Sequence, residues 1–194
     1  MRNEILGLEA RGVFEEISKD DIPADAIVLG LKFILAIKDG NTPDERYKAR
    51  AVAFGHKDRD KKLLIHIAVP VRIRSVRLVC SYTLSERMHL WLEDTNQAYL
   101  QGKKLERVIV VEAHPFFGLP EGTYLRLVRP LYGITEAGDA WNEQRTEVIR
   151  TEVQAKATAT DKSLYYYRPD PTRKLLGLIA IYVDDCLYLS LIHI

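Results

Sequence analysis

Apolar side chains in residues 4–18 fall at Ile5, Leu6, Leu8, Ala10, Val13, Phe14 and Ile17, a spacing that predicts a short amphipathic helix broken near Gly12. After Pro23 the period changes. Residues 26–38 are dense in β-branched and other apolar residues and run into Asp39-Gly40-Asn41, which predicts a strand entering a tight turn. A hairpin follows if residues 47–55, YKARAVAFG, are the return strand. Lys48 and Arg50 share one face of that strand, because side chains two apart point the same way.

Farther along, residues 75–90 place Val76, Val79, Cys80, Thr83 and Leu84 on one helical stripe, with Ser75 as the expected N-cap. A strand over 88–92 runs into Glu93-Asp94, and TNQAYLQG after it predicts a turn into a helix start closed by Gly102. Strands are expected over 108–111 and 124–128, on either side of a loop at 115–122. Residues 134–153 present Ile134, Ala137, Trp141, Val148 and Ile149 as the apolar stripe of another helix. A turn over 169–173 precedes a near-continuous apolar strand over 175–182, which delivers Asp184-Asp185 to its end. No repeat or low-complexity linker divides the chain, so a single unit of intermingled helices and strands is expected.

Composition agrees with a folded body. The chain has 194 residues with 47% hydrophobic and 28% charged, enough to bury a core and unlike a disordered or fibrous chain. The cysteines, Cys80 and Cys186, are too few for a disulfide framework and not spaced as a zinc site, which makes a reducing, intracellular setting the simpler expectation. The N-terminal segment has acidic residues and no uninterrupted apolar core, so no targeting signal is expected. The most apolar stretches, 26–37 and 175–183, fall short of the roughly 20 residues that cross a bilayer.

The formal charge of +1 hides an asymmetry. Residues 47–77 carry nine basic residues against Asp58 and Asp60, a local +7 that leaves −6 for the rest. Such a segment suits either a phosphate-binding surface or an ordinary solvated face. The chemically informative pattern is a carboxylate at the end of each of two apolar strands, Asp94 in one and Asp184-Asp185 in the other. Adjacent strands would bring them together, and hard divalent cations such as Mg2+ are held by a few carboxylates plus substrate phosphates. The plainer reading of Asp184-Asp185 is a tight turn between strands.

Residues 182–185 read Tyr-Val-Asp-Asp, and the chain resembles the reverse transcriptases of copia-type LTR retrotransposon polyproteins, which carry this tetrapeptide at the polymerase centre. The surrounding motifs follow in order. YKARAVAFGH resembles the family's fingers strand, LEDTNQAYLQG its first catalytic segment, LVRPLYGITEAGDAW its substrate-positioning segment, and IYVDD its second catalytic segment. The resemblance runs from about residue 4 to residue 188. It implies an α+β fold, the fingers and palm of a reverse transcriptase-like polymerase. Fingers are expected over about 25–80 and an antiparallel palm sheet with packed helices over about 81–188, with no thumb.

The resemblance also implies roles. Asp94 and Asp184 would be the principal ligands of two Mg2+ or Mn2+ ions and Asp185 the third carboxylate. Lys48 and Arg50, in the family's KAR, would reach the incoming triphosphate, where a guanidinium fork suits phosphate oxygens; the alternative is a pair of solvated strand residues. Tyr99 is the candidate for excluding a ribose 2′-hydroxyl beneath the incoming sugar, or else a core tyrosine. Gly133, of the Leu-Tyr-Gly signature, would let the backbone approach nucleotide or template.

Where many members read roughly LYGLKQAPRAW, this chain reads LYGITEAGDAW, with Glu136, Gly138 and Asp139 in a stretch usually basic and proline-containing. The last six residues, LSLIHI, resemble a translated sequencing adapter, so 189–194 are expected to be a non-native tail. The implied activity is RNA-directed DNA polymerisation, expected to be weak or absent in a chain lacking a thumb. The implied partners are an RNA or DNA template with primer, deoxynucleoside triphosphates, and the remaining polyprotein domains (thumb, RNase H and integrase). No membrane is expected, and the implied location is cytoplasmic, in virus-like particles. A non-catalytic nucleic-acid-binding remnant, with residues 47–77 on phosphate backbones and vestigial aspartates, is the alternative.

Overall fold

The computed structural model describes residues 1–64, 70–172 and 174–190. Its elements, in chain order, begin with α1 (Arg2–Ala10), β1 (Phe14–Ile17), β2 (Ile27–Leu29), β3 (Leu31–Lys38) and β4 (Arg46–Ala53). They continue with α2 (Ile73–Glu86), β5 (His89–Asp94), β6 (Ile109–Glu112), β7 (Tyr124–Leu127) and α3 (Ala137–Thr151). The last are β8 (Lys156–Ala157), β9 (Leu164–Tyr167), β10 (Gly177–Tyr182) and β11 (Asp185–Ser190). Among the described residues no helix is long and apolar enough to cross a membrane.

The single unit expected from composition is replaced by two compact units. One takes residues 1–66 and 99–141, the other 67–98 and 142–194. The expected fingers range and the expected palm range are each divided between them. No linker marks the division, because each unit is assembled from two stretches distant in sequence.

In the first unit, β1, β7, β6 and β2 form one sheet in that order, antiparallel except for the parallel β2–β6 pair. Leu8, Val13, Ile27, Leu29, Leu100, Ile109, Val111, Leu125 and Leu127 fill its core. The expected helix over 4–18 is corrected here: α1 ends at Ala10, and Phe14–Ile17 is a strand paired with Tyr124–Leu127. The two adjacent glutamates of FEEI point to opposite faces and are both exposed, on a strand at the edge of the sheet. The predicted hairpin is present as β3–β4, with Leu31 opposite Ala53 and Lys38 opposite Arg46. Its turn residues Asp39 and Asn41 have positive φ, 54° and 64°. Along β4, Ala49, Ala51 and Ala53 are buried while Lys48 and Arg50 point to the other face.

In the second unit, β5, β11, β10, β9 and β8 form an antiparallel sheet in that order. Val79 of α2 packs with Val71, Met88, Leu164, Leu178, Ala180 and Leu189. The predicted N-cap is corrected: α2 begins at Ile73 behind Arg72, and Ser75 lies buried inside the first turn. The Asp161 carboxylate accepts from the Ser75 hydroxyl at 2.5 Å and from the Arg72 amide at 2.9 Å, capping the helix from elsewhere in the chain. Leu84, expected on the buried stripe of α2, and Val148, expected on that of α3, are exposed. Leu189 and Ser190 of the expected tail belong to β11, with Leu189 buried, and residues 191–194 lie outside the described ones. Residues 65–69 of the basic segment and Arg173 of the predicted turn also lie outside them.

Candidate polymerase site

The second unit places the three candidate carboxylates at one end of its sheet. In the β10–β11 hairpin Tyr182 pairs with Asp185, so the connection is the two residues Val183 and Asp184. Val183 has φ 57°, a left-handed conformation that disfavours a β-branched side chain by about 1–3 kcal/mol. A positive φ at the first turn position matches the right-handed twist of the flanking strands, which explains why the tight hairpin holds it. The next strand over, β5, sets Asp94 directly opposite Asp185. The Thr95 amide, just beyond Asp94, donates to the Asp184 carbonyl at 2.8 Å. Asp94 and Asp185 are exposed and Asp184 is half-buried.

Side chains opposite one another in an antiparallel pair share a face, and like charges placed so are unfavourable until a cation lies between them. The donor set is carboxylate only, which is the chemistry of a hard divalent cation. No three His, Cys, Asp or Glu side chains among the described residues converge as a ready-made metal cage. Two facing carboxylates are the donor set Mg2+ takes when substrate phosphates complete its shell, so the residues fit that ion.

Neighbouring groups hold this end in place. The Tyr188 hydroxyl donates to Glu93 Oε1 at 2.7 Å, and that bond first, then burial, pushes the phenol up to about 12. Cys186, next to Asp185, is pushed up to about 11 by burial and by the Glu93 charge, which leaves it an unreactive thiol. Arg145 of α3 donates to the Val183 carbonyl at 3.2 Å and to Asn142 Oδ1 at 2.5 Å. Neither Arg145 nor Tyr188 stood out from sequence, because a lone arginine on a charged helix and a tyrosine in an apolar strand carry no pattern.

The other four candidates lie in the first unit. Arg50 stacks over the Tyr132 ring, 5.3 Å from guanidinium carbon to centroid, and the Tyr132 and Tyr99 rings are 5.7 Å apart. Lys48 sits two residues from Arg50 on the same face of β4, half-buried. Tyr99 begins no regular helix; it lies in the short 3-10 turn Ala98–Gln101 and packs partly against the core. Gly133 has φ 92°, and a Cβ there would lie 2.2 Å from the Ala53 carbonyl oxygen. The close approach that this glycine permits is therefore to β4, where the Ala53 amide also donates to the Tyr132 carbonyl at 2.8 Å.

A third arrangement in this unit had no signal in the sequence. Arg107 donates to both oxygens of Glu136, at 2.9 and 2.6 Å, and to both oxygens of the buried Asp58, at 3.3 and 2.7 Å. Burial works to raise the Asp58 carboxyl, but the Arg107 bonds and the Asp60 amide outweigh it and hold it below its usual range. Glu136 of the LYGITEAGDAW segment is thus met by a cation.

The family model described as reverse transcriptase (RNA-dependent DNA polymerase) matches residues 16–191. The chain belongs to this family. It is a reverse transcriptase domain of mixed α and β structure, with three helices among the described residues and largely antiparallel sheets. Membership implies nucleotidyltransferase-type polymerase chemistry on a nucleic-acid template with nucleotide substrates, and reverse transcriptases generally use divalent metals. No curated protein matches the chain.

Proposed function

We propose that this reverse transcriptase domain is the fingers-palm part of a copia-type retrotransposon polymerase, which adds deoxynucleotides to a primer 3′-hydroxyl. The observation that carries the reading is the pairing of Asp94 with Asp185 across β5 and β11, with Asp184 in the adjoining turn. Asp94 and Asp184 serve as the principal ligands and Asp185 as the third carboxylate. When bound, two Mg2+ or Mn2+ ions supply the charge that activates the primer hydroxyl and neutralises the departing pyrophosphate. Lys48 and Arg50 hold the triphosphate of the incoming nucleotide. A guanidinium already seated on Tyr132 has fewer conformations to lose when it meets a phosphate. Tyr99 lies under the sugar and discriminates against a 2′-hydroxyl, and Gly133 keeps the Tyr132 segment against β4. The remaining chain of the polyprotein and cytoplasmic virus-like particles complete the setting we propose.

The test is primer extension on poly(rA)/oligo(dT) with Mg2+, for the chain alone and fused to a donor thumb, alongside thermal melts with Mn2+. Extension that disappears in Asp184→Asn, together with Mn2+ stabilisation of wild type but not of Asp184→Asn/Asp185→Asn, supports the reading. A folded protein that neither extends a primer nor gains stability from Mg2+ or Mn2+ sinks it and favours a non-catalytic nucleic-acid-binding remnant.

A further inference from the structure

Val183 sits in the turn at a φ of 57°, which a β-branched side chain disfavours, and the surroundings hold the two peptide groups that flank Asp184. The Val183 carbonyl and the Asp184 amide belong to one planar peptide unit, so a bond to that carbonyl fixes the plane on the N-terminal side of Asp184. Arg145 supplies this bond, at 3.2 Å. The plane on the C-terminal side is fixed through the Asp184 carbonyl, which accepts from the Thr95 amide at 2.8 Å. Asp184 is therefore suspended between two pinned planes, one tied to α3 and the other to the residue that follows Asp94.

Arg145 is itself directed. Its second terminal nitrogen donates to Asn142 Oδ1 at 2.5 Å, one turn back on α3. Its Nε is buried and has no hydrogen-bond partner among the described residues. Burial lowers its affinity for a proton, with the nearby Tyr165 and Cys186 working the other way. Holding a partly desolvated guanidinium with its Nε unpaired, against one backbone carbonyl and one amide oxygen, is unfavourable for the helix alone. A charge-assisted bond to a strained turn offsets that, because it holds a backbone conformation which the chain would otherwise leave.

We infer that Arg145 is a positioning residue for the polymerase centre: through the Val183 carbonyl it fixes the peptide plane that orients Asp184 toward the Asp94 side of the sheet. The inference rests on the reading of Asp184 as a metal ligand, but its structural half can be measured without any metal. Hydrogen exchange at the Thr95 amide reports whether the turn stays closed, and titration with Mn2+ followed by electron paramagnetic resonance reports whether the carboxylates bind it.

In Arg145→Met, exchange at Thr95 is expected to accelerate about tenfold or more. Amides of the β9–β10 pairing should keep their protection, and Mn2+ affinity should fall about tenfold. Arg145→Lys, with one compact ammonium in place of a fork, should recover part of both. If Arg145→Met does not fold, Asn142→Ala keeps the arginine but removes the group that aims it, and should move both readouts in the same direction by less. Unchanged Thr95 exchange in the folded member of this set overturns the inference. Faster Thr95 exchange with wild-type Mn2+ affinity also overturns it, provided that Asp184→Asn loses that affinity. If Asp184→Asn binds Mn2+ as wild type does, the metal-ligand reading is what fails, and accelerated exchange in Arg145→Met still upholds the positioning of the turn.

Discussion

Asp161 offers the sharpest test of how the second unit is held together. Its carboxylate is buried and accepts from three donors: the Ser75 hydroxyl at 2.5 Å, the Arg72 amide at 2.9 Å and the Ser163 amide at 3.1 Å. Two of those donors belong to the first turn of α2, which no neighbouring side chain caps. Replacing Asp161 by Ala removes this shared acceptor from a site that excludes most water. A hydrogen bond to an ionised group is worth about 1.5–3 kcal/mol, and some solvent will reach the vacated site, so the expected loss is about 3–4 kcal/mol. Ser75→Ala removes one donor and leaves the other two bonds, for an expected loss of about 1–1.5 kcal/mol. Urea unfolding followed by circular dichroism measures both, and the slope with urea should stay near that of wild type. The same carboxylate sets an acid limb. Burial works to raise its pKa, but the bonds from Ser75, Arg72 and Ser163 outweigh it, so the folded value lies below the ordinary one. The unfolded state then binds the proton more readily. The contribution of Asp161 is complete above about pH 4, the unfolded carboxylate value, and disappears as pH falls through the folded value. Asp161→Asn should accordingly flatten the decline in stability below about pH 4. A loss smaller than about 1 kcal/mol in Asp161→Ala, or an acid limb unchanged in Asp161→Asn, would refute the tertiary cap.

Other substitutions probe the first unit. Arg107→Met deprives the buried Asp58 of its counter-charge and should destabilise by about 3–5 kcal/mol in chemical denaturation; a loss below about 1 kcal/mol would mean that Asp58 is satisfied by other groups. Gly133→Ala forces a Cβ toward the Ala53 carbonyl at a φ that suits glycine, and a loss of about 2–5 kcal/mol is expected. A melting temperature equal to that of wild type would show that β4 can move aside. Val183→Gly relieves the left-handed strain, so its effect on stability should be small or favourable, while a loss beyond about 1 kcal/mol would assign the turn to packing of the valine side chain.

What the sequence discloses depends on whether the deciding interaction is local. The β3–β4 hairpin and the delivery of Asp184-Asp185 by an apolar strand are local patterns, a period of two closed by turn residues, and both are present. Phe14–Ile17 departs from the helical expectation because its apolar ends fit the helical period of the preceding segment, and only pairing with β7 decides for a strand. The stripe on α2 holds at Val76, Val79, Cys80 and Thr83, while Leu84 has the right character but faces solvent and the polar Ser75 is buried to meet Asp161. The division into two units had no signal at all. The carboxylates and the nucleotide-contact candidates belong to different units, although they alternate along the chain.

Polar partners distant in sequence account for the rest. Ser75 and Asp161 are 86 residues apart and Arg107 and Glu136 are 29 apart, with no spacing rule to link either pair. The second pair also gives Glu136 of LYGITEAGDAW a structural role. An acidic residue in a segment expected from the resemblance to be basic looks, in isolation, like a loss of phosphate-binding charge. Glu136 is instead consumed by Arg107, whose guanidinium already serves Asp60 and the buried Asp58, so the acidic group completes an ion network inside the first unit. A guanidinium with five donors between two carboxylates satisfies both with two bonds each, which a single carboxylate would leave half used. Glu136 is thereby tied to the scaffold beside Tyr132 and Gly133. A basic residue at position 136 would therefore have to displace an ion network anchored on the buried Asp58.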